Sequence, residues 1–169
     1  MDDSIVLGQS VHNPSAEFQY PKVPIDAPTH PSSVALIEAW RACEAKGGMR
    51  MGRDIPSRAL AKLLPSIIIS EVEPGWTDAR VRVAGSVPVE RFGRDITGVK
   101  LSELYHDHPD DIALFLASGR RAEETREPVL VRTAVVAGST ELMAFEVVFL
   151  PVFAADGITQ LAMLGTFRF

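Results

Sequence analysis

The C-terminal part of the chain has a pattern that permits few folds: three apolar segments separated by tight turns. These segments are rich in β-branched and aromatic side chains, which favours strands. The first turn centres on Gly138, and the second contains Asp156-Gly157, a dipeptide typical of β-hairpins. The pattern predicts an antiparallel meander, with strands at residues 128–136, 142–153 and 158–169.

Both faces of this predicted meander are apolar. In the strand that begins at Leu142, alternation places Val148 and Leu150 on one face and Phe145 and Val147 on the other. A sheet with one face in water would alternate apolar with polar side chains. We therefore expect helices from the middle of the chain to cover one face. An N-terminal helix, a second subunit or both would cover the other.

The residues before the meander are predicted to form helices first and then two strands. Residues 1–31 contain five prolines and are expected to form an extended or disordered arm. Leu36, Ile37 and Trp40 recur at helical spacing, so the first helix has one apolar stripe. The predicted elements are a helix from Ser32 or Ser33 to about Lys46, a helix between Asp54 and Leu64, strands at 67–73 and 79–84, short helical pieces within 86–105, and a helix at 109–125.

Three short motifs follow one another between the second strand and the long helix. They are Arg80-x-Arg82-x-Ala84-Gly85-Ser86, Phe92-Gly93-x-Asp95-x-Thr97-Gly98 and Leu101-x-x-Leu104. These motifs resemble those of the PAS sensor family, in particular its bacterial single-PAS group. Ser86 stands where that group usually has threonine, so the hydroxyl is kept. The resemblance covers about residues 33–169.

The resemblance implies an α+β fold, with a five-stranded antiparallel sheet, helices over one face and, in this chain, an extra N-terminal helix. It divides the chain into the arm at residues 1–31 and a PAS-like domain at residues 32–169, whose N-terminal helices occupy residues 32–64. It also implies a signal-sensing or protein-interaction module without catalysis of its own, which binds a small ligand, a partner protein or both.

Sensor domains of this type commonly pair through the uncovered sheet face and an N-terminal helix. The resemblance therefore implies a homodimer, with Leu36, Ile37 and Trp40 as candidate interface residues. Any output is expected to pass through an unidentified signalling protein.

Helices closing over the sheet would form a small pocket for an apolar ligand. Arg82 and Ser86 are candidate polar contacts, although Arg80 and Arg82 could instead pair with Glu71 or Glu73 on the neighbouring strand. The candidate lining residues, each of which could also be ordinary core packing, are Val83, Val89, Phe92, Leu101, Leu104, Ile112, Phe115, Phe145 and Leu164.

The run from His106 to Asp111 contains residue types that bind zinc or iron. The same run is typical of a helix start, with Asp107 or His108 as the cap and Pro109 at the first helical position. We therefore predict no metal site. His106 stays open as an axial haem ligand, as in some PAS domains, although no haem-attachment motif is present. The cofactor is thus unknown. A further pairing across strands, Arg132 with Glu146, is also possible.

The composition excludes several classes of protein. A net charge of -5 and a pI near 5.4 argue against a nucleic-acid partner. Cys43 is the only cysteine, so no intramolecular disulfide can form, and its helical spacing indicates a core position. No apolar run is long enough to span a membrane, and the acidic N-terminus differs from a secretory signal. We expect a cytoplasmic protein.

The alternative hypothesis is a small α+β cone enzyme of isomerase or dehydratase type with an apolar pocket. It would need an acid or base in that pocket, for which Asp95, His106 and Asp107 are the candidates. The order of predicted elements fits this cone less well. No phosphate-binding loop, nucleophile elbow or zinc-protease motif occurs in the sequence.

Overall fold

Residues 18–169, which the computed structural model describes, form a seven-stranded antiparallel sheet with helices on both faces. Two 3-10 turns, Leu64–Ser66 and Pro74–Trp76, flank the strand Ile67–Val72. The elements in chain order are β1 (Phe18–Gln19), β2 (Lys22–Ile25), α1 (Pro31–Glu44), β3 (Ile67–Val72), β4 (Ala79–Ala84), α2 (Ser86–Phe92), α3 (Leu101–Leu104), α4 (Pro109–Thr125), β5 (Val129–Ala137), β6 (Thr140–Phe153) and β7 (Gln160–Arg168).

The strands lie side by side in the order β5, β6, β7, β3, β4, and both β1 and β2 pair with the outer edge of β5. The predicted meander is confirmed as β5, β6 and β7. The α+β class is confirmed too, and the five predicted strands are β3 to β7. Two more strands, β1 and β2, come from the proline-rich arm, because its residues 18–25 are extended and find the free edge of β5.

The helix α1 covers one side of the sheet, which we call the first face. Leu36 and Trp40 are completely buried there against strand residues such as Ile69 and Val148. Trp40 Nε1 also donates a hydrogen bond of 2.8 Å to the Pro151 carbonyl on β6. Burial of side chains this large contributes about 1.5–3 kcal/mol each. The first face is therefore a continuous core.

The three residues predicted for a dimer interface lie inside this core. Leu36, Ile37 and Trp40 have relative exposures of 0%, 6% and 0%. Because α1 of the same chain covers the first face, a second subunit is not needed to cover it. Leu36, Ile37 and Trp40 therefore belong to the core of one chain in this structure, and the homodimer stays a prediction.

The start of α1 differs from its prediction, because His30 rather than Ser32 or Ser33 is the cap. His30 Nδ1 accepts a hydrogen bond of 3.0 Å from the Ser32 amide. The buried carboxylate of Glu146 on β6 accepts hydrogen bonds from the two residues just before α1. They come from the Thr29 amide at 2.9 Å and from the His30 amide at 3.0 Å. Free amides at a helix N-terminus favour such a negative charge.

Glu146 therefore does not pair with Arg132, although the two residues are opposite each other in register. Arg132 pairs instead with Glu141 at 2.9 Å. Burial alone would raise the pKa of Glu146, but the nearby Ser33 hydroxyl and the hydrogen bonds from Thr29 and His30 outweigh it. The net result is a pKa below the usual range, so Glu146 is a fixed anion that anchors α1.

The helix predicted between Asp54 and Leu64 is absent from the structure, which has only turns in residues 57–64. The predicted cap, Asp54, points back toward the preceding loop. Its carboxylate accepts hydrogen bonds from the Arg50 amide at 2.9 Å and from Arg53 Nε at 2.9 Å. With its cap engaged elsewhere, the segment lacks a helix start and forms i to i+3 turns instead.

The other side of the sheet, the second face, lies under α2, α3 and α4. Two separate apolar clusters hold these helices. In one, Ala122 of α4 packs with Val131 and Phe149, and in the other, Ile96 packs with Val81. The separation of the two clusters leaves space between them over the middle of the sheet.

Trp76 fixes the position of α4 over the second face. Its ring lies so close to Gly119 that a Cβ on that glycine would be 2.7 Å from a ring carbon. Its Nε1 donates a hydrogen bond of 2.8 Å to Glu123.

No helix within residues 18–169 has both the length and the apolar run that a membrane crossing would require.

Candidate functional site

A cavity of about 740 Å³, partly open to solvent, lies between the second face and the helices above it. Its floor consists of alternate residues from the three strands of the meander. Thr133 lies opposite Phe145 in register, and Val147 lies opposite Thr166, so these side chains share one face. The volume is within the range of roughly 300–1,000 Å³ that is typical of small-molecule sites.

The roof of the cavity is a chain of aromatic rings. Phe92 at the end of α2 contacts Tyr105 edge-on, with ring centres 5.6 Å apart. Tyr105 contacts Phe115 of α4 at 5.2 Å, and Phe115 lies 5.8 Å from Phe149 on the sheet. Because the rings touch in sequence, a molecule that displaces one of them changes the contacts that join α2 to α4.

The mouth of the cavity includes β2, which comes from the N-terminal arm. Lys22 Nζ pairs with the Asp111 carboxylate in the first turn of α4 at 2.9 Å. The two side chains are 24% and 25% exposed, so the pair is partly shielded from water. Tyr20 lines the same side of the cavity. We call residues 18–25 the edge strap, since they join the β5 edge to α4.

Two polar groups, Arg91 and Tyr105, lie in the walls of the cavity. The Arg91 guanidinium lies over the Phe145 ring, 5.9 Å from its centre. Burial raises the pKa of the Tyr105 hydroxyl; Arg91 partly opposes this rise, and Asp111 adds to it. Tyr105 therefore stays protonated at neutral pH and offers a hydrogen-bond donor to the cavity.

The sequence model of the family described as PAS domain matches residues 28–168. The chain belongs to the PAS domain family. Comparisons with curated proteins and with solved structures found no match. The matched residues include α1 and all elements after it, whereas the edge strap precedes them. This PAS domain thus builds one side of its cavity from residues outside the family match.

The cavity brings together part of the predicted lining. Five predicted residues lie in its walls: Phe92, Leu104, Phe115, Phe145 and Leu164. Leu101 lines a second cavity of about 30 Å³, whose walls also include Tyr105, Phe115 and Leu164. The other predicted residues, Val83, Val89 and Ile112, line neither cavity.

The predicted polar contacts, Arg82 and Ser86, lie outside the cavity walls. Arg82 forms an ion pair with Glu71 on β3, which is the cross-strand alternative. Arg80 donates to the Gly98 carbonyl at 2.6 Å instead of to an acid. Ser86 is the exposed first residue of α2. Neither candidate therefore lines the cavity in this structure.

The glycines and aspartate of the sequence motifs also have structural roles. A Cβ on Gly85 would lie 2.2 Å from the Leu64 carbonyl oxygen, so only glycine fits where β4 meets α2. The Asp95 carboxylate accepts a hydrogen bond of 2.9 Å from the Thr97 amide, which forms a turn. Gly85 and Asp95 thus shape the segment that carries Phe92 and Arg91 without lining the cavity themselves.

The run from His106 to Asp111 forms both the start of α4 and the rim of the cavity. His108 is the cap residue, but its side chain makes no capping hydrogen bond. His106 lies 3.2 Å from Asp107 on the exposed side of the rim. Within the described residues 18–169, no three His, Cys, Asp or Glu side chains converge as metal ligands.

Sequence reasoning missed several residues of the site. Tyr20 and Lys22 lie in the arm, and only the pairing of β2 with β5 brings them to the cavity. Arg91 and Tyr105 lie beside predicted lining residues, Phe92 and Leu104, and the spacing of apolar residues in short helices gave no reason to choose them. The rim residues had been assigned to capping, and His106 and Asp107 had also been considered for haem binding or acid-base chemistry, but none had been predicted to line a ligand pocket.

Proposed function

We propose that this PAS domain is a sensory module that binds a small, largely apolar molecule in the cavity between the second face and helices α2 to α4. The observation that carries the proposal is the volume of about 740 Å³ beneath a roof of aromatic rings. Apolar and aromatic side chains form most of the floor and the roof, whereas most of the charged groups lie at the mouth and the rim. A pocket that combines an apolar interior with a set of polar groups is the usual form of a ligand site.

Binding would act through the roof. The ring contacts join α2, Tyr105 and α4, and the Lys22–Asp111 pair joins α4 to the edge strap. A ligand that favours one arrangement of these rings would shift the population of helix positions by its difference in affinity. The signal would then reach the outer surface of α4 and the strap.

Native mass spectrometry of protein purified from its own host, with a visible absorption spectrum of the same sample, tests this proposal. We expect a retained small molecule in the wild-type protein and its loss in Leu164→Trp, which fills the floor. The matched control is Leu142→Trp, at an exposed position on the same sheet. An empty wild-type protein, or equal retention in both variants, would contradict binding in this cavity.

The alternative hypothesis of a cone enzyme depended on Asp95, His106 or Asp107 lying in the pocket. Asp95 and His106 lie outside its walls, and Asp107 lies at the rim beside His106. The hydrogen bond from the Thr97 amide lowers the pKa of Asp95, which makes it a poorer base. The geometry therefore favours binding over catalysis.

The homodimer and the signalling partner stay predictions. The three predicted interface residues are buried, so a dimer would have to form through other surfaces of the domain. Light scattering measures the mass directly, and a mass of one 18.4 kDa chain at micromolar concentration would rule the homodimer out.

A further inference from the structure

We infer that the ligand of this cavity has an anionic end, most simply a carboxylate, which Arg91 and Tyr105 bind, and an aromatic body that lies between the sheet and the ring roof. The inference rests on the proposed ligand binding and adds the chemical class of the ligand.

The charged groups around the cavity differ in whether they have a partner. Asp111 is neutralised by Lys22 at 2.9 Å, and Asp107 lies 3.2 Å from the His106 ring. Asp110 is exposed in the first turn of α4, where the helix dipole favours a negative charge. Within residues 18–169, Arg91 is the cation of the cavity wall that has no carboxylate partner.

The position of Arg91 directs its charge toward the cavity. It lies in the last turn of α2, which ends at Gly93 in the left-handed conformation with φ of 71°. The guanidinium lies above the Phe145 ring on the cavity floor. A guanidinium over an aromatic face keeps its planar donors available at the edge, and these donors match a carboxylate well.

Tyr105 supplies the second donor. Its ring is held between Phe92 and Phe115, so the hydroxyl has little freedom to leave the cavity. Within the described residues this hydroxyl has no protein hydrogen-bond partner. The charge of Arg91 acts on its pKa, so the two groups lie within range of electrostatic interaction. The hydroxyl is accessible from the cavity, and an anionic acceptor beside Arg91 would accept hydrogen bonds from both groups.

The remaining walls select the body of the ligand. Apart from the two threonines, the floor is apolar, and the roof presents edges and faces of aromatic rings. Planar aromatic molecules gain from such ring contacts beyond simple burial. A flat apolar body with one anionic end therefore fits this distribution of groups better than a polar sugar or a cation does.

Isothermal titration calorimetry with three probes that share one body tests the inference. The probes are 1-naphthylacetate, 2-(1-naphthyl)ethanol and 2-(1-naphthyl)ethylamine, which are anionic, neutral and cationic at pH 7. The full-length protein is titrated with each. We expect the carboxylate to bind at least about tenfold more tightly than the alcohol, since hydrogen bonds to a charged group are the stronger ones.

Two variants connect this preference to the proposed groups. Arg91→Met should remove the advantage of the carboxylate over the alcohol, and Tyr105→Phe should reduce it by about threefold to tenfold. Arg94→Met is the matched control, because Arg94 is exposed, as Arg91 is, but lies in the next loop and outside the cavity walls. Thermal unfolding of Arg91→Met, compared with that of the wild-type protein, shows that the variant is folded.

The possible outcomes separate the two proposals. If the alcohol or the amine binds as tightly as the carboxylate, or if Arg91→Met and Arg94→Met behave alike, the anionic ligand is excluded while ligand binding stands. If no probe binds, both the inference and the proposed ligand binding are overturned. A preference for the carboxylate that is lost only in Arg91→Met and reduced in Tyr105→Phe supports both.

Discussion

The first face of the sheet is covered by one helix of fourteen residues, whereas the second is covered by three helices of seven, four and seventeen residues. Both faces present apolar strand residues, as in β6, where Val148 and Val147 point in opposite directions. The strands alone therefore do not decide which face encloses space. The difference arises from how each cover is attached.

The helix α1 is attached along its length. Its buried stripe spans Leu36 to Cys43, Trp40 is hydrogen-bonded to β6, and Glu146 holds its start. The cover of the second face is attached at separate points, by the Ile96 cluster, by the Ala122 cluster and by Trp76 against Gly119. A cover attached at separate points can bridge a cavity, so the comparison predicts that the first face contributes most of the stability and that the proposed ligand lies over the second.

The largest expected effect is a truncation at the centre of the first face. Trp40→Ala should lower the free energy of unfolding by about 3–5 kcal/mol, because a large buried side chain is lost from a filled core. Phe145→Ala on the cavity floor should cost clearly less, since its ring already borders open space. Urea denaturation of both variants measures the difference.

Trp40→Phe serves as a milder companion if Trp40→Ala does not fold. It keeps most of the apolar volume and loses the 2.8 Å hydrogen bond to Pro151, so about 1 kcal/mol or more is expected. Equal losses for Trp40→Ala and Phe145→Ala would show that the two faces are equally well packed, and the comparison would fail.

The acid dependence of stability should also come partly from the first-face side, through Asp54. The hydrogen bond from Arg53 is the main cause of a pKa of about 2 for this carboxyl. Because the folded pKa lies below the unfolded value, the carboxylate stabilises the fold above about pH 4, and this contribution is lost as the pH falls toward 2.

Asp54→Asn should therefore lower stability at pH 7 by about 2 kcal/mol and flatten the decline between about pH 4 and pH 2. Asp95→Asn is the comparison for the second-face side: the pKa of Asp95 is also lowered, but its carboxyl is exposed, so this variant should flatten the acid profile less. Thermal unfolding across this pH range is the measurement. An unchanged acid profile in Asp54→Asn would remove Asp54 from this account.

A smaller effect is expected where α4 meets Trp76. Gly119→Ala places a methyl group where only 2.7 Å separates the ideal Cβ from the ring, so α4 or Trp76 must shift, at a cost of about 1–3 kcal/mol. Ala117→Ser, on the exposed side of α4, is the control. Because Trp76 positions α4 over the cavity, Gly119→Ala should also change the affinity for the best-binding naphthyl probe. The control should change neither stability nor affinity.

The sequence allowed much of the fold to be predicted. Alternation in β4 to β7 and the turns at Gly138 and Asp156-Gly157 fixed the strands, because period and turn chemistry are local properties. The helix predicted after Asp54 was wrong, because the capping signal was used by a neighbouring loop. The predicted pairing of Arg132 with Glu146 was wrong for a related reason. Two residues opposite each other need not pair when one is buried beneath a helix N-terminus.

The candidate site was less accessible to prediction. Leu164 and Phe145 could be proposed because strand alternation assigns each residue to a face. Lys22 could not, because its place depends on a pairing between the N-terminal arm and β5, which are far apart in sequence. Arg91 is one of several arginines in its segment, and only the geometry of α2 distinguishes it from Arg94.

The smallest expected effect on stability concerns Lys22, and it tests the attachment of the second-face cover most directly. Lys22→Met removes the partly exposed pair with Asp111, which should cost less than about 1 kcal/mol. Asp111 then becomes an unpaired carboxylate at the cavity mouth, near Tyr105. Affinity for 1-naphthylacetate should fall by about threefold or more, while affinity for the uncharged alcohol should stay the same. Loss of affinity for both probes would instead indicate that the edge strap keeps the cavity open by holding α4 in place. The strap would then be a further point of attachment for the cover of the second face.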